Sequence, residues 1–259
     1  MSASTVRRIA AEFGLHRRKA RKVIYITPEQ KVKRLQWARE YADWGARDWN
    51  HVIWSDEAYV ILGNLKGSVY VMCTKDEEFD EDCLVPTFKQ SNIWIMVWGC
   101  MMKGRKEPLV ALEYPGGQGG GMTAARYQEQ VLEGVLLDFW KEMSDEREVL
   151  FQQDNGSSHT AKMTIAWFKA HGIRCLPHPA SSPDLNLIKH LWHLIKEIIR
   201  GLERAPTTVA ELKNAVYQAW DQIMVGQINS YAESMEDRVQ AVIAAKGGAY
   251  EILIQGFSS

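Results

Sequence analysis

The sequence predicts a mixed α/β domain, in which one sheet is flanked by helices. Apolar runs rich in β-branched and aromatic residues come first, and from residue 123 onward helix-like and strand-like segments alternate. Strands followed by alternating elements favour a mixed sheet with helices packed on it. At 259 residues with 46% hydrophobic side chains, the chain can bury one sizeable core and carry smaller attachments.

The N-terminal segment is basic and helical in pattern. Val6, Ile9, Ala10 and Phe13 recur at helical spacing, and Gly14 is a stop signal. Two interpretations stay open, namely the last helix of a helix-turn-helix or a solvated amphipathic helix with a basic tail. The candidate DNA-binding residues are Arg7, Arg8, Arg17, Arg18, Lys19, Arg21 and Lys22.

A connecting helix should follow, since Thr27 is a good N-cap and Pro28 suits the first helical position, and the pattern continues to Trp44. The first strand is predicted over 51–62. Further strands are predicted at 68–72, 92–102 and 108–114, and a glycine-rich turn at 115–121. The remaining expected elements are a helix over 123–141, a strand over 147–154, a helix over 159–172, a strand over 172–179, a helix over 186–201 and two C-terminal helices.

Bulk properties narrow the class of protein. The formal net charge of −1 gives no overall attraction to polyanions, so nucleic-acid binding must come from local basic patches. The most apolar stretch, 93–102, is too short for a membrane span of about 20 residues, so we expect no membrane insertion. The four cysteines lack zinc-site spacing, and no apolar leader predicts secretion, so we expect reduced thiols inside the cell.

Two aspartates stand where an apolar strand is expected to run out, Asp56 and Asp154. A carboxylate at such a place is not required by the core and can hold a cation. Each also has an ordinary structural reading as a turn residue or helix cap. His159, five residues after Asp154, is interpreted as a first-turn helical histidine rather than a ligand.

Several tryptophans invite a base-stacking interpretation. For Trp94, Trp98 and Trp192, core packing is favoured because they lie in an apolar strand or on an apolar helix face. Trp37, Trp44 and Trp49 are candidates for a subunit interface.

Three short blocks carry a family resemblance, WSDE at 54–57, FQQDNGSSHTA at 151–161 and SSPDLNLIKHLW at 181–192. In order and spacing they resemble the signature blocks of Tc/mariner-type transposases. The likeness extends to the basic N-terminal segment, to 121–132 and to 234–250. It implies an RNase H-like, retroviral integrase-like fold with two carboxylates from strands and a third from a helix.

The resemblance also implies an activity and its partners. Family members are DNA transposases, which cut and join DNA with two Mg²⁺ or Mn²⁺ ions. Asp56 should bridge both metals and Asp154 should hold one of them. The implied partner is double-stranded DNA at transposon ends, a homodimer is left open, and the expected location is the nucleus.

One departure from the family pattern concerns the third acidic position. In the family pattern, 34 residues separate it from the second aspartate, which places it at Lys189 in this chain, and Leu187 replaces the usual proline. Asp184 and Glu197 are acidic residues that could substitute for it, but Asp184 has an ordinary role as a turn residue and Glu197 should lie too far along the helix. We therefore expect impaired metal-dependent catalysis. The alternatives left open are a catalytically dead DNA-binding or assembly module and an unselected remnant of a transposon gene.

The expected domain organisation has three parts. Residues 1–45 would hold a remnant of a helix-turn-helix and a linker helix, 46–202 the RNase H-like catalytic domain, and 203–259 a helical extension. The resemblance covers only the end of the family's DNA-reading region, which is also what a truncated chain would give.

Overall fold

A computed structural model describes residues 3–15, 25–61, 74, 94–113, 121–145 and 147–250. Several predictions fall outside these residues, namely the strand at 68–72, nearly all of the glycine-rich turn at 115–121, and the basic residues Arg17 to Lys22. None of the described helices is long and apolar enough to cross a membrane.

The described strands form one mixed sheet, as predicted. They are β1 (Val52–Ile61), β2 (Trp94–Met102), β3 (Arg105–Lys106), β4 (Val110–Leu112) and β5 (Leu150–Gln152). The order is β3-β2-β1-β5, and β4 also pairs with β2. β1 runs antiparallel to β2 and parallel to β5. The strand predicted over 172–179 is reduced to a single bridge between Cys175 and Phe151.

Ten α-helices are described. They are α1 (Ala3–Glu12), α2 (Pro28–Glu40), α3 (Ala46–Trp49), α4 (Ala124–Tyr127), α5 (Leu137–Ser144), α6 (Lys162–Ala170), α7 (Lys189–Arg200), α8 (Val209–Gln222), α9 (Val225–Glu233) and α10 (Met235–Ala244). A π-helical segment, Gln128–Leu136, joins α4 to α5, so the helix predicted over 123–141 is continuous but not uniform. A short 3₁₀ helix, Pro183–Leu185, precedes α7.

The predicted cap of α2 is confirmed. The Thr27 hydroxyl accepts from the Gln30 backbone N–H at 3.3 Å, and the Gln30 side chain accepts from the Thr27 N–H at 2.9 Å. This reciprocal pair, followed by Pro28, satisfies two N–H groups that the first turn leaves open. The helix ends at Glu40, four residues before the predicted end.

The sheet separates two apolar clusters. One face packs against α7, α8 and α9, with Trp54 and Trp192 inside. The other face packs against the π-helical segment, α5 and α6, with Trp98 and Phe151 inside. Each face of the sheet is thus covered by helices.

The tryptophans divide differently from the prediction. Trp98 and Trp192 are buried as expected, but Trp94 is 40% exposed and packs edge-on against Tyr59, so its core assignment is wrong. It begins β2 opposite Ile61, at the far end of the β1–β2 pair.

Two of the three tryptophans proposed for an interface lie inside this chain, and Trp44 is partly buried against them. Trp37 and Trp49 are 6% and 1% exposed, in an aromatic cluster with Tyr41, Trp44 and Trp54. Burial within one chain explains why Trp37 and Trp49 are unavailable for a subunit interface.

Helix α2 is fastened to the rest of the domain by Arg34, whose side chain is fully buried. Its guanidinium donates to both carboxylate oxygens of Asp184, at 2.8 and 2.7 Å, and its Nε donates to the Gly247 carbonyl at 3.0 Å. Gly247 has φ 79°, and a Cβ there would lie 2.0 Å from the Lys31 carbonyl oxygen. Only glycine permits this close approach.

Candidate active site

Asp56 lies in the middle of β1, not at the end of a strand as the sequence suggested. The strand continues to Ile61 because β2 pairs with it past this point, and Asp56 stands opposite Gly99. Its side chain is only 4% exposed. A buried carboxylate inside a paired strand has no capping duty, which removes the structural reading left open for this residue.

Asp154 lies two residues beyond the last residue of β5. β5 pairs in parallel with β1, with Gln152 opposite Trp54. Continuing both strands by two residues brings Asp154 level with Asp56. Its Oδ1 accepts from the Gly156 backbone N–H at 2.8 Å, and its side chain is 48% exposed. The sheet therefore brings the two predicted carboxylates to one place.

Lys189 is the first residue of α7 and reaches the same place. Its ammonium Nζ donates to Oδ2 of Asp56 at 2.7 Å. The indole Nε1 of Trp192 donates to the same oxygen at 3.0 Å. One oxygen of the first carboxylate is thus held by two donors from α7.

The start of α7 is tied to β1 by side-chain hydrogen bonds. The Asn186 amide donates to the Ser55 carbonyl at 3.0 Å, and the Ser55 hydroxyl donates to the Gln152 carbonyl at 2.8 Å. The ring of Trp192 stacks on Trp220 at 5.6 Å over Gly99, where a Cβ would lie 3.0 Å from the Trp192 ring. A glycine opposite Asp56 therefore makes room for the indole that binds Asp56.

The charges at the site influence one another. Burial raises the pKa of Asp56 to about 6, against the opposing effect of the Lys189 ammonium. The hydrogen bond from His159 lowers the pKa of Asp154 to about 2, and the Lys189 charge adds to that lowering. Lys189 therefore acts on both carboxylates, and the three predicted site residues are brought together.

His159 is a site residue that the sequence interpretation missed. It precedes α6 and is 5% exposed. Its Nδ1–H donates to Oδ1 of Asp154 at 2.7 Å, and its Nε2–H donates to Oε1 of Glu57 at 3.2 Å. Burial lowers the pKa of His159, but the two carboxylates outweigh it and raise the pKa to about 10. The available signal was its place with Asp154 inside one signature block, and Glu57 beside Asp56 in another.

Neither considered substitute for the third acid joins the site. The Asp184 carboxylate is bound to buried Arg34. The Glu197 side chain is 48% exposed and pairs with Arg200, further along α7. Neither acid replaces the missing carboxylate, so Lys189 remains at the third position.

The residues present do not fit a two-metal centre. The part of the chain that the structure describes contains no group of three or more His, Cys, Asp or Glu side chains able to hold a metal ion. Oδ2 of Asp56 is bonded to an ammonium and an indole N–H, both of which are donors and not ligands. A cation at this oxygen would have to displace both.

The basic N-terminal residues are described only in part. Arg7 and Arg8 are exposed on α1, and Arg8 pairs with Glu12 at 3.1 Å. Arg17, Arg18, Lys19, Arg21 and Lys22 lie outside the described residues. Their role in DNA binding stays a prediction, as do the boundaries of the three expected domains.

Comparison with known proteins gives consistent matches. A helix-turn-helix family model described as "Transposase" matches residues 1–43, and one described as "DDE superfamily endonuclease" matches 103–213. The chain is 32% identical to the Tc1 transposase of Caenorhabditis elegans over 96% of this chain and 87% of that protein. It is 30% identical to the Tcb2 transposase of Caenorhabditis briggsae over 95% and 86%.

Solved structures show the same fold. A Mos1 transposase paired-end complex with the left transposon end has a TM-score of 0.76 at 20% identity, covering 97% of this chain and 72% of that one. A Mos1 catalytic domain bound to raltegravir with Mg has a TM-score of 0.67 at 16% identity, covering 88% and 100%. The likeness confirms the predicted RNase H-like fold.

Proposed function

The chain belongs to the Tc1/mariner family of transposases, with a helix-turn-helix region and a DDE endonuclease region, and from this premise we propose that it binds DNA but is impaired in metal-dependent cleavage. The observation that carries the proposal is the 2.7 Å bond between the Lys189 ammonium and Oδ2 of Asp56.

The size of the effect follows from simple electrostatics. Two unit charges about 4 Å apart interact by roughly 4 kcal/mol at an effective dielectric of 20, and a divalent ion doubles this. Between Lys189 and a cation bound at Asp56, the interaction is repulsive. Replacing a ligand by a like charge therefore removes an attraction and adds a repulsion at one position.

The family chemistry explains why this position matters. Two divalent ions about 3.5–4 Å apart activate the attacking oxygen and steady the leaving oxygen at a phosphodiester. Asp56 and Asp154 are the acidic residues of this chain that would hold such ions. With Lys189 in the third position, only two carboxylates remain to hold the two metal ions. One of them, Asp56, is already paired with the Lys189 ammonium.

The partners proposed for the chain follow from its relatives. Because a Mos1 structure is a paired-end complex with a transposon end, we propose double-stranded DNA at transposon ends as the partner here, bound by a homodimer. The exposed Arg7 and Arg8 and the basic residues that follow would contact phosphates. With a DNA substrate of this kind, the location we propose is the nucleus.

Calorimetric titration with Mn²⁺ tests the proposal. The parent chain should show no binding at Asp56, whereas Lys189→Glu should bind and should nick supercoiled plasmid DNA. Lys196→Glu makes the same charge change on the same helix and is the matched control, and Asp56→Asn should abolish whatever Lys189→Glu gains. Binding by the parent that Asp56→Asn removes would contradict the proposal.

A second candidate function is a DNA-binding or assembly module that works without cleavage. It is favoured by the Lys189 side chain, which is 36% exposed beside the buried Asp56, so its ammonium borders solvent where a phosphate can approach. In that case Lys189→Met should reduce the slope of log K against log salt for DNA binding by about 1. An unchanged slope would show that Lys189 makes no phosphate contact, and this second function would then lose its support.

A further inference from the structure

His159 forms a hydrogen-bonded bridge between two of the signature blocks, the one with Glu57 and the one with Asp154. Asp56 and Glu57 are neighbours on β1, and successive side chains of a strand point to opposite faces. Asp56 meets α7, whereas Glu57 meets His159 at 3.2 Å, ahead of α6. His159 also binds Asp154 at 2.7 Å, so one imidazole ties the first block to the second.

The bridge fixes one oxygen of Asp154. Oδ1 accepts both the His159 Nδ1–H at 2.7 Å and the Gly156 backbone N–H at 2.8 Å. Two donors converging on one oxygen hold that oxygen in place, which fixes both the χ1 rotamer of Asp154 and the rotation of its carboxylate. Oδ2 of Asp154 is then the oxygen left to meet an incoming partner.

The imidazole is itself held from its other sides. Its ring packs against the buried ring of Tyr127 at 4.5 Å, and the Tyr127 hydroxyl donates to Gln153 Oε1 at 3.0 Å. At Gly156 a Cβ would lie 3.0 Å from Asp154 Oδ1 and 3.2 Å from His159 Nδ1. The loop therefore closes tightly around this contact.

We propose that His159 is a positioning residue for Asp154, which presets the orientation of the second-block carboxylate before any partner binds. His159 itself is 5% exposed, has a carboxylate on each ring nitrogen, and acts on bound partners only through Asp154. The inference holds whether or not cleavage is impaired, because it depends on no contact of Lys189.

The first test uses NMR on the parent chain. A correlation across the hydrogen bond, from the Nδ1 of His159 to the carboxylate carbon of Asp154, is expected, and its absence would overturn the proposal. Asp154 should also show a single χ1 rotamer in three-bond couplings.

The second test removes the donors and keeps the packing. His159→Phe retains a ring against Tyr127 and donates nothing, and His159→Asn is a milder change that is too short to reach both carboxylates. In each folded variant, Asp154 should average over rotamers. His171→Gln, which changes an exposed histidine at the end of α6, is the matched control and should leave a single rotamer. A single rotamer in folded His159→Phe or His159→Asn would sink the idea.

A third measurement separates this inference from the proposed function. In the Lys189→Glu protein, His159→Asn should weaken Mn²⁺ binding by roughly 10–100-fold, the usual effect of removing a group that orients a ligand. No loss of affinity would count against positioning. If Lys189→Glu binds no Mn²⁺, the proposed function fails, and the rotamer measurement still decides the role of His159.

Discussion

The two sides of the candidate site place a cation on a carboxylate with opposite consequences. On the α7 side, the Lys189 ammonium and the Trp192 indole N–H both donate to Oδ2 of Asp56. On the α6 side, the His159 imidazolium binds Oδ1 of Asp154, which also accepts the Gly156 backbone N–H. On the two proposals above, the Lys189 cation keeps a metal from Asp56, whereas the His159 cation orients Asp154 and leaves its Oδ2 for a partner.

The largest expected effect is a change in metal affinity on the α7 side, at Lys189. Lys189→Glu should raise Mn²⁺ affinity by at least about 100-fold, or roughly 3 kcal/mol, because a repelling charge becomes a ligand. Calorimetry measures it directly. The variant should be less stable than the parent without metal, since the introduced carboxylate would face buried Asp56, and an affinity equal to that of Lys196→Glu would undo the assignment of the third position.

The next effect is a loss of stability on the α6 side, at His159. His159→Ala should lower the free energy of unfolding by about 2–3 kcal/mol, because Asp154 and Glu57 lose a shared donor in a mostly buried setting. The folded pKa of about 10 lies above the ordinary 6.5, so this contribution is complete below pH 6.5 and is lost as pH rises through 10. Urea unfolding of parent and variant across pH 6–10 checks it, and a pH-independent difference would contradict the imidazolium.

A smaller loss of stability is expected when the Lys189 cation is removed. Lys189→Met should cost about 1–2 kcal/mol, less than His159→Ala, because Lys189 is 36% exposed and Asp56 can take up a proton. The pKa of Asp56 should then rise above its present value of about 6, since the ammonium no longer opposes the effect of burial. Carbon NMR of the Asp56 carboxyl reports this, and a pKa below 6 would speak against the ion pair.

The smallest effect tests the loop around His159. Gly156→Ala should cost about 1 kcal/mol, because the added methyl would lie 3.0 Å from Asp154 Oδ1 and must push it or His159 aside. Thermal unfolding measures the loss. Gly121→Ala is a fair control, since nothing lies within 4 Å of a Cβ there, and equal losses at both glycines would deny the tight closure.

Much of the fold was readable from the sequence because it depends on local signals. The β1 run, the Thr27–Pro28 start of α2 and the apolar face of α7 were predicted near their observed places. The strand predicted over 172–179 is not formed, because Ile173 and Leu176 are buried with only one bridge, at Cys175. Pairing partners far along the chain decide such cases.

The site was only half readable for a related reason. Asp56, Asp154 and Lys189 were predicted by block resemblance, and the structure brings them together. His159 was overlooked because its two partners lie 5 and 102 residues away in sequence, and a lone histidine beside a helix start has an ordinary explanation. No local pattern distinguishes a bridging histidine from a helical one.

The stacked pair Trp192 and Trp220 gives the site an optical signal of its own. One indole donates its N–H to Asp56, and its ring lies 5.6 Å from the other at an angle of 26°. Transitions of two chromophores held so close are coupled, and their near-ultraviolet circular dichroism depends on the fixed angle between them. Any event that detaches Asp56 from Trp192, whether protonation, substitution or a cation, should therefore change the spectrum without an added label.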